Sequence, residues 1–148
     1  MRYHFTRFDS PACHRLTPDV WSTVWRCHGG GGMFVEKITT EDGNGVDVVL
    51  PNGRSVEVDA CPLIRGCDPL SSVEWSFGNV TEWRTRQGST RPHALFIRFW
   101  PRFDVQRNSY LVVMRLSSDG ACVVGAVPAV RGQTDRARAL ADRNAPCL

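Results

Sequence analysis

His93-Ala94-Leu95-Phe96-Ile97-Arg98-Phe99-Trp100, bounded by Pro92 and Pro101, is the stretch from which the fold is read. Its aromatic, aliphatic and β-branched residues suit a pleated strand, and a period of two puts Leu95, Ile97 and Phe99 on one face, the expected core face. Two more runs follow. Tyr110 to Leu116 carries one charge, Arg115, and Cys122 to Val127 is joined to it by Ser117-Ser118-Asp119-Gly120. Asp-Gly between apolar runs is a strong hairpin signal. A strand as apolar on both sides as Leu111-Val112-Val113-Met114 needs cover on both faces, which places it centrally and calls for a helix on one side.

The C-terminus supplies that helix. Thr134 reads as its N-cap and Asp135 suits the first-turn dipole. Ala137, Leu140, Ala141 and Ala145 fall on one stripe, and Pro146 ends the pattern. Toward the N-terminus the chain reads as short strands. Tyr3 to Phe8 is the first, with Tyr3 and Phe5 on one face, ended by the turn Asp9-Ser10-Pro11. Thr17 to Trp25 suits either a short helix, with Val20, Trp21 and Val24 on one face, or a strand, because its residues are β-branched and aromatic. Gly29-Gly30-Gly31-Gly32 has neither phosphate-loop pattern and reads as a flexible connection into a strand over Met33 to Ile38. Turns at Asp42-Gly43-Asn44-Gly45 and Pro51-Asn52-Gly53 make this half a meander. Asp59 to Leu70 reads as an irregular, cross-linked loop. Val73 to Phe77 reads as a strand that Gly78-Asn79 turns into Thr81-Glu82-Trp83-Arg84. The expected fold is a single α+β domain over residues 1–148, a mainly antiparallel meander with one C-terminal helix packed on it, stapled by disulfides.

With 148 residues the chain can bury a substantial core, and no apolar run approaches the roughly 18 residues that span a bilayer. Net charge is +3, and 17 of the 18 basic residues are arginine. Nine acids lie between Glu36 and Glu82 against Lys37, Arg54 and Arg65, whereas Trp83 to Arg115 holds seven arginines against Asp104. The two halves are expected to pair across the sheet. Met1 to Thr6 lacks the apolar core of a signal peptide, which leaves three readings: a trimmed mature form, a misplaced start, or a cytoplasmic protein.

Six cysteines imply a disulfide framework in an exported chain and metal ligation in a cytosolic one. Sequence locality and the ends of the elements favour Cys13 with Cys27, Cys61 with Cys67, and Cys122 with Cys147. The repeated pair Cys13-His14 and Cys27-His28 is the most metal-like feature. Zinc sites group their ligands more closely than this, and Cys61 and Cys67 are too far apart to form a knuckle. The bridged reading is therefore adopted, with no metal and no cofactor assigned; an intracellular metal-binding protein is the alternative.

Trp25-Arg26-Cys27-x-Gly29, Glu82-Trp83-Arg84, Pro92-x-Ala94-x-x-Ile97-Arg98, Leu111-Val112-Val113-x-Arg115-Leu116, Cys122-Val123-Val124-Gly125-x-Val127 and Ala139-Leu140-Ala141-Asp142 together resemble a family of small exported proteins of unknown function from Gram-negative bacteria. The resemblance implies a periplasmic protein with paired cysteines and assigns no catalytic residue. Cys61 and Cys67 are an addition to the family pattern.

For catalysis, there is no Gly-x-Ser-x-Gly elbow, and His4, His14, His28 and His93 have no nucleophile signature beside them. Trp83-Arg84-x-Arg86, Arg91 and Arg98-Phe99-Trp100-Pro101-Arg102-Phe103 interleave cations with aromatics as a single-strand stacking groove does. The near-neutral charge and the available acids weigh against nucleic acid. The leading expectation is a periplasmic or secreted, non-enzymatic domain that binds a protein partner, with Trp100, Phe103, Arg98 and Arg102 as its contact residues.

Overall fold

The computed structural model describes residues 1–102 and 108–148. Among these, ten strands form two five-stranded antiparallel sheets. The first sheet runs β1 (Arg2–Arg7), β7 (Ser76–Thr85), β8 (Ala94–Trp100), β9 (Tyr110–Leu116), β10 (Ala121–Pro128). The second is the meander β2 (His14–Asp19), β3 (Ser22–Gly30), β4 (Met33–Thr40), β5 (Gly43–Val49), β6 (Ser55–Glu57). Single 3-10 turns at Cys61–Leu63 and Ser72–Glu74 interrupt the connection back to the first sheet, and α1 (Gln133–Asp142) closes the chain.

The alternation read from the sequence sets the layers. Leu95, Ile97 and Phe99 do face the core, where with Val112, Met114 and Trp83 they meet Met33, Val35, Val46 and Val48 of the meander. The opposite face of β8 and β9, with Ala94, Phe96, Leu111 and Val113, packs on Ala137 and Ala141 of α1. Leu111-Val112-Val113-Met114 is buried throughout because helix and second sheet cover its two sides.

Trp83 locks the two sheets together. It is fully buried, its ring stacks parallel to His4 at 6.1 Å, and its Nε1 donates to Thr6 Oγ1 at 3.1 Å. The ring lies against Gly29 so closely that a Cβ there would sit 2.2 Å from it. Gly29 is therefore required by packing. The rest of the glycine run is also ordered: Gly31 and Gly32, with φ of +61° and +81°, make the tight turn between β3 and β4 that only glycine adopts easily.

One open reading is decided for strand and three local expectations are corrected. Thr17 to Trp25 is no helix; it holds the β2–β3 hairpin, whose turn is fixed by Asp19 Oδ1 accepting from the Trp21 N–H and the Ser22 hydroxyl. Val73 to Phe77 divides into the 3-10 turn and the start of β7, and Gly78-Asn79 is a bulge within β7, where the register with β8 shifts between Phe77 and Thr81. The carbonyls that this bulge releases are taken up: Asn79 O by the Phe8 N–H, and Phe77 O by Lys37 Nζ. Finally, α1 starts at Gln133 after Gly132 in the left-handed conformation, so Thr134 lies inside the helix, and it stops at Asp142, four residues short of Pro146.

The sulfurs form three bridges, Cys13–Cys27, Cys61–Cys67 and Cys122–Cys147. No thiol is left to ligate a metal, so the Cys-His pairs are bridge cysteines with neighbouring histidines. The third bridge closes 25 residues and ties the tail beyond α1 to the edge strand β10. By the chain-entropy relation such a loop stabilises the fold by about 3.5 kcal/mol. Cys122→Ser/Cys147→Ser should lose about that much in urea unfolding while keeping a sheet-type circular dichroism spectrum; an unchanged midpoint would mean that the tail is held by its other contacts alone.

Candidate functional site

The outer face of the first sheet is only partly covered, because α1 lies over β8, β9 and β10, meets β7 through the side chains of Arg138 and Asp142, and leaves Tyr3 and Phe5 of β1 half-exposed. A groove of about 350 Å³ follows the uncovered side of the helix. Its apolar surface comes from Phe5, Val80, Phe96 and Trp100, and its cations from Arg98 and Arg138. The volume lies at the low end for ligand sites. Register explains the assembly: Phe5 lies opposite Glu82 and Glu82 opposite Phe96, so one row of side chains crosses three strands on the helix side.

Beneath this row runs a network of charges. Glu82, 3% exposed, accepts from Arg84 Nη1 at 3.0 Å and from Arg138 Nη2 at 2.9 Å. Arg84 reaches on to Asp142 through Nε at 2.9 Å and Nη2 at 2.6 Å, and His93 Nε2 meets the same carboxylate at 3.2 Å. Each buried charge thus has an opposite partner, the condition under which burial is tolerated. Tyr3 lies over both guanidinium groups, 5.3 Å from Arg138 and 5.9 Å from Arg84.

Of the expected contact residues, Trp100 and Arg98 line the groove; Phe103 lies outside the described residues and Arg102 is not among the lining residues. Arg98 is half-buried and donates to two neutral oxygens, Ser109 Oγ at 2.6 Å and Gln133 Oε1 at 3.0 Å. Sequence reasoning missed Phe5, Tyr3 and Arg138. The signal for the first two was present, since Tyr3 and Phe5 alternate on one face, yet they remain 57% and 52% exposed on an edge strand that the helix does not reach.

Among the described residues of the arginine-aromatic stretch, several do not present a stacking surface. Trp83 and Phe99 point into the core at 0% and 1% exposure, and Arg84 is committed to Glu82 and Asp142. A nucleophile–base contact is likewise missing among the described residues. Ser117 bonds Asp119 and Gly120, while His93 spends Nε2 on Asp142 and its buried Nδ1 has no partner. The expected pairing of acidic and basic halves is met where Glu82 pairs with Arg84, and it does not extend to the acids of the meander. Glu36, Asp47 and Glu57 stand side by side on β4, β5 and β6, facing away from the first sheet, and Arg26 supplies one counter-charge at 3.2 Å from Glu36. Burial, then Glu36, raise the Asp47 carboxyl above its ordinary range; burial, then Asp59 and Asp47, do the same for Glu57.

Comparison with protein-family models, curated proteins and solved structures returns no match, so the site is read from its own geometry. Three disulfides place the fold in an oxidising environment, and among the described residues no helix is long and apolar enough to cross a membrane.

Two expectations follow from the charges. Like charges directly opposite each other in a sheet are destabilising, so Asp47→Asn should raise stability by about 0.5–1 kcal/mol in urea unfolding, and a loss would show that Asp47 makes a favourable contact. His93 is held below its ordinary value by burial, then by Arg86, against the pull of Asp142. For this group the unfolded chain therefore binds more protons than the fold as pH drops from about 7 to 5, so the His93 contribution to stability falls across that window, while the raised Asp47 and Glu57 carboxyls act in the opposite sense. Melting temperatures of His93→Gln should show a shallower slope there; an identical slope would remove His93 as its source.

Proposed function

We propose that the chain is an exported, non-enzymatic domain that binds a protein partner in the periplasm or outside the cell, with the groove beside α1 as its contact site. The observation that carries this reading is the pairing of all six sulfurs, because a cytosolic thiol pool would keep them reduced. The resemblance to small exported Gram-negative proteins points the same way. The groove suits a partner because half-exposed aromatics beside fixed arginines are the side-chain types that dominate interface energetics. Phe5 needs no rearrangement to be reached, and the buried charge network beneath it keeps the floor rigid. A partner segment with an apolar side chain and a neighbouring carboxylate would match Phe5 and Phe96 on one side and Arg98 on the other.

A photo-crosslinking residue at position 5, with a control at position 70 on an exposed loop, tests the assignment in cells exporting the protein. Position 5 should yield a discrete adduct that Trp100→Ala weakens at unchanged melting temperature, and position 70 should not. Equal labelling from both sites, or none from position 5, would contradict it.

A further inference from the structure

A second recess, of about 370 Å³, opens at the C-terminal end of α1, away from the groove. It is lined by Arg86, His93, Arg115, Ser117, Arg143 and Asn144, with Leu116 and Ala141 as its apolar surface. None of the lining residues is acidic. Its arginines differ in kind from Arg84 and Arg138, whose charges are cancelled by carboxylates. Arg86 Nη2 donates to the Asp142 carbonyl at 3.1 Å, and Arg115 Nη1 donates to the Ala145 carbonyl at 3.0 Å while its Nη2 lies 3.4 Å from Cys147 Sγ. Neutral acceptors hold these two guanidinium groups in place without neutralising them. Arg143 is exposed and has no side-chain partner among the described residues.

The carboxylate that touches the lining residue His93 is already paired. Asp142 is shared by Arg84 and His93, and the exposed Asp119, which accepts from the Ser117 hydroxyl at 3.0 Å, is not among the lining residues. Three cationic forks, those of Arg86, Arg115 and Arg143, therefore line one concavity with the Asn144 amide beside them. We infer that this recess binds a phosphoryl group. Arginine forks match phosphate oxygens two at a time, and a cleft lined by one sign of charge concentrates the opposite ion. The space exceeds what a bare phosphate fills, so the bound species is a phosphomonoester, free in solution or displayed as a lipid headgroup. His93 is held down first by burial and then by Arg86, against the pull of Asp142, so the recess contributes a positive field at its imidazole. The site is separate from the groove and does not depend on the groove having a protein partner.

Isothermal titration with phenyl phosphate, and sedimentation with phosphatidylcholine vesicles containing or lacking phosphatidic acid, test this on the whole oxidised chain. Arg143→Ala, at an exposed position, and Arg86→Ala should each weaken binding about tenfold, the loss expected for one charge-assisted contact. Arg131→Ala, at the other end of α1, should leave it unchanged. The His93 imidazole, followed by NMR, should titrate at higher pH with phenyl phosphate bound. Saturation by phenyl phosphate supports a soluble ligand, and Arg143-dependent sedimentation with phosphatidic acid alone supports a headgroup. Absence of binding in both arms, or equal losses in all three variants, overturns the assignment, the latter reducing it to diffuse charge.

Discussion

Helix α1 is held across the first sheet at its C-terminal half, and the surface features of that face follow from where it is held. Arg138 crosses to Glu82 on β7, Arg84 crosses back to Asp142 at the last helical turn, and Cys147 bridges to Cys122 on β10. A ten-residue helix has little stability of its own, so these ties, together with the packing of Ala137 and Ala141, decide its position. They set it over β8 to β10. The groove is the space left over β7 and β1, and the basic recess is the space where the helix stops and the tail turns toward its disulfide.

The small residues are as necessary as the charged ones. Ala137 and Ala141 let the helix approach, and Gly125 makes room for Leu140, whose Cδ2 would lie 2.6 Å from an added Cβ. On the other side of the sheet, Gly29 makes room for Trp83. Residues far apart in the sequence thus meet in complementary pairs: Gly29 with Trp83, Arg84 with Asp142, Gly125 with Leu140. In Glu82-Trp83-Arg84, strand alternation sends the tryptophan to the inter-sheet core and both charges to the helix, so three consecutive residues serve two layers.

The three C-terminal strands, their hairpin, the burial of β9 on both faces, the helix and the disulfide pairs were legible because each rests on a local pattern: alternation, Asp-Gly, helical spacing, or nearness in sequence; β9 itself lies one strand from the edge, and β8 takes the centre. The parts that were not legible depend on distant partners. Thr17 to Trp25 fits a helical stripe, and what makes it a hairpin is the ladder it forms with β4. Gly78-Asn79 carries turn chemistry yet forms a bulge, because Lys37 and Phe8 satisfy its polar groups from elsewhere. Trp83 and Arg98 lie within one Arg-aromatic stretch, and only the layering shows that the first is interior while the second lines the groove. The acids of the meander and the arginines of the first sheet invite pairing on paper, but the two sets face different layers.

Everything assigned to this molecule, from the anchored helix to its place outside the reducing cytosol, depends on the sulfurs being joined in pairs. The direct measurement is the intact mass of protein from an oxidising compartment, unfolded in an alkylating reagent with and without prior reduction. No alkyl group should be added before reduction and six afterwards, one for each cysteine of the three bridges. Alkylation of the unreduced chain would contradict the bridged fold and, with it, the assignment to an exported binding domain.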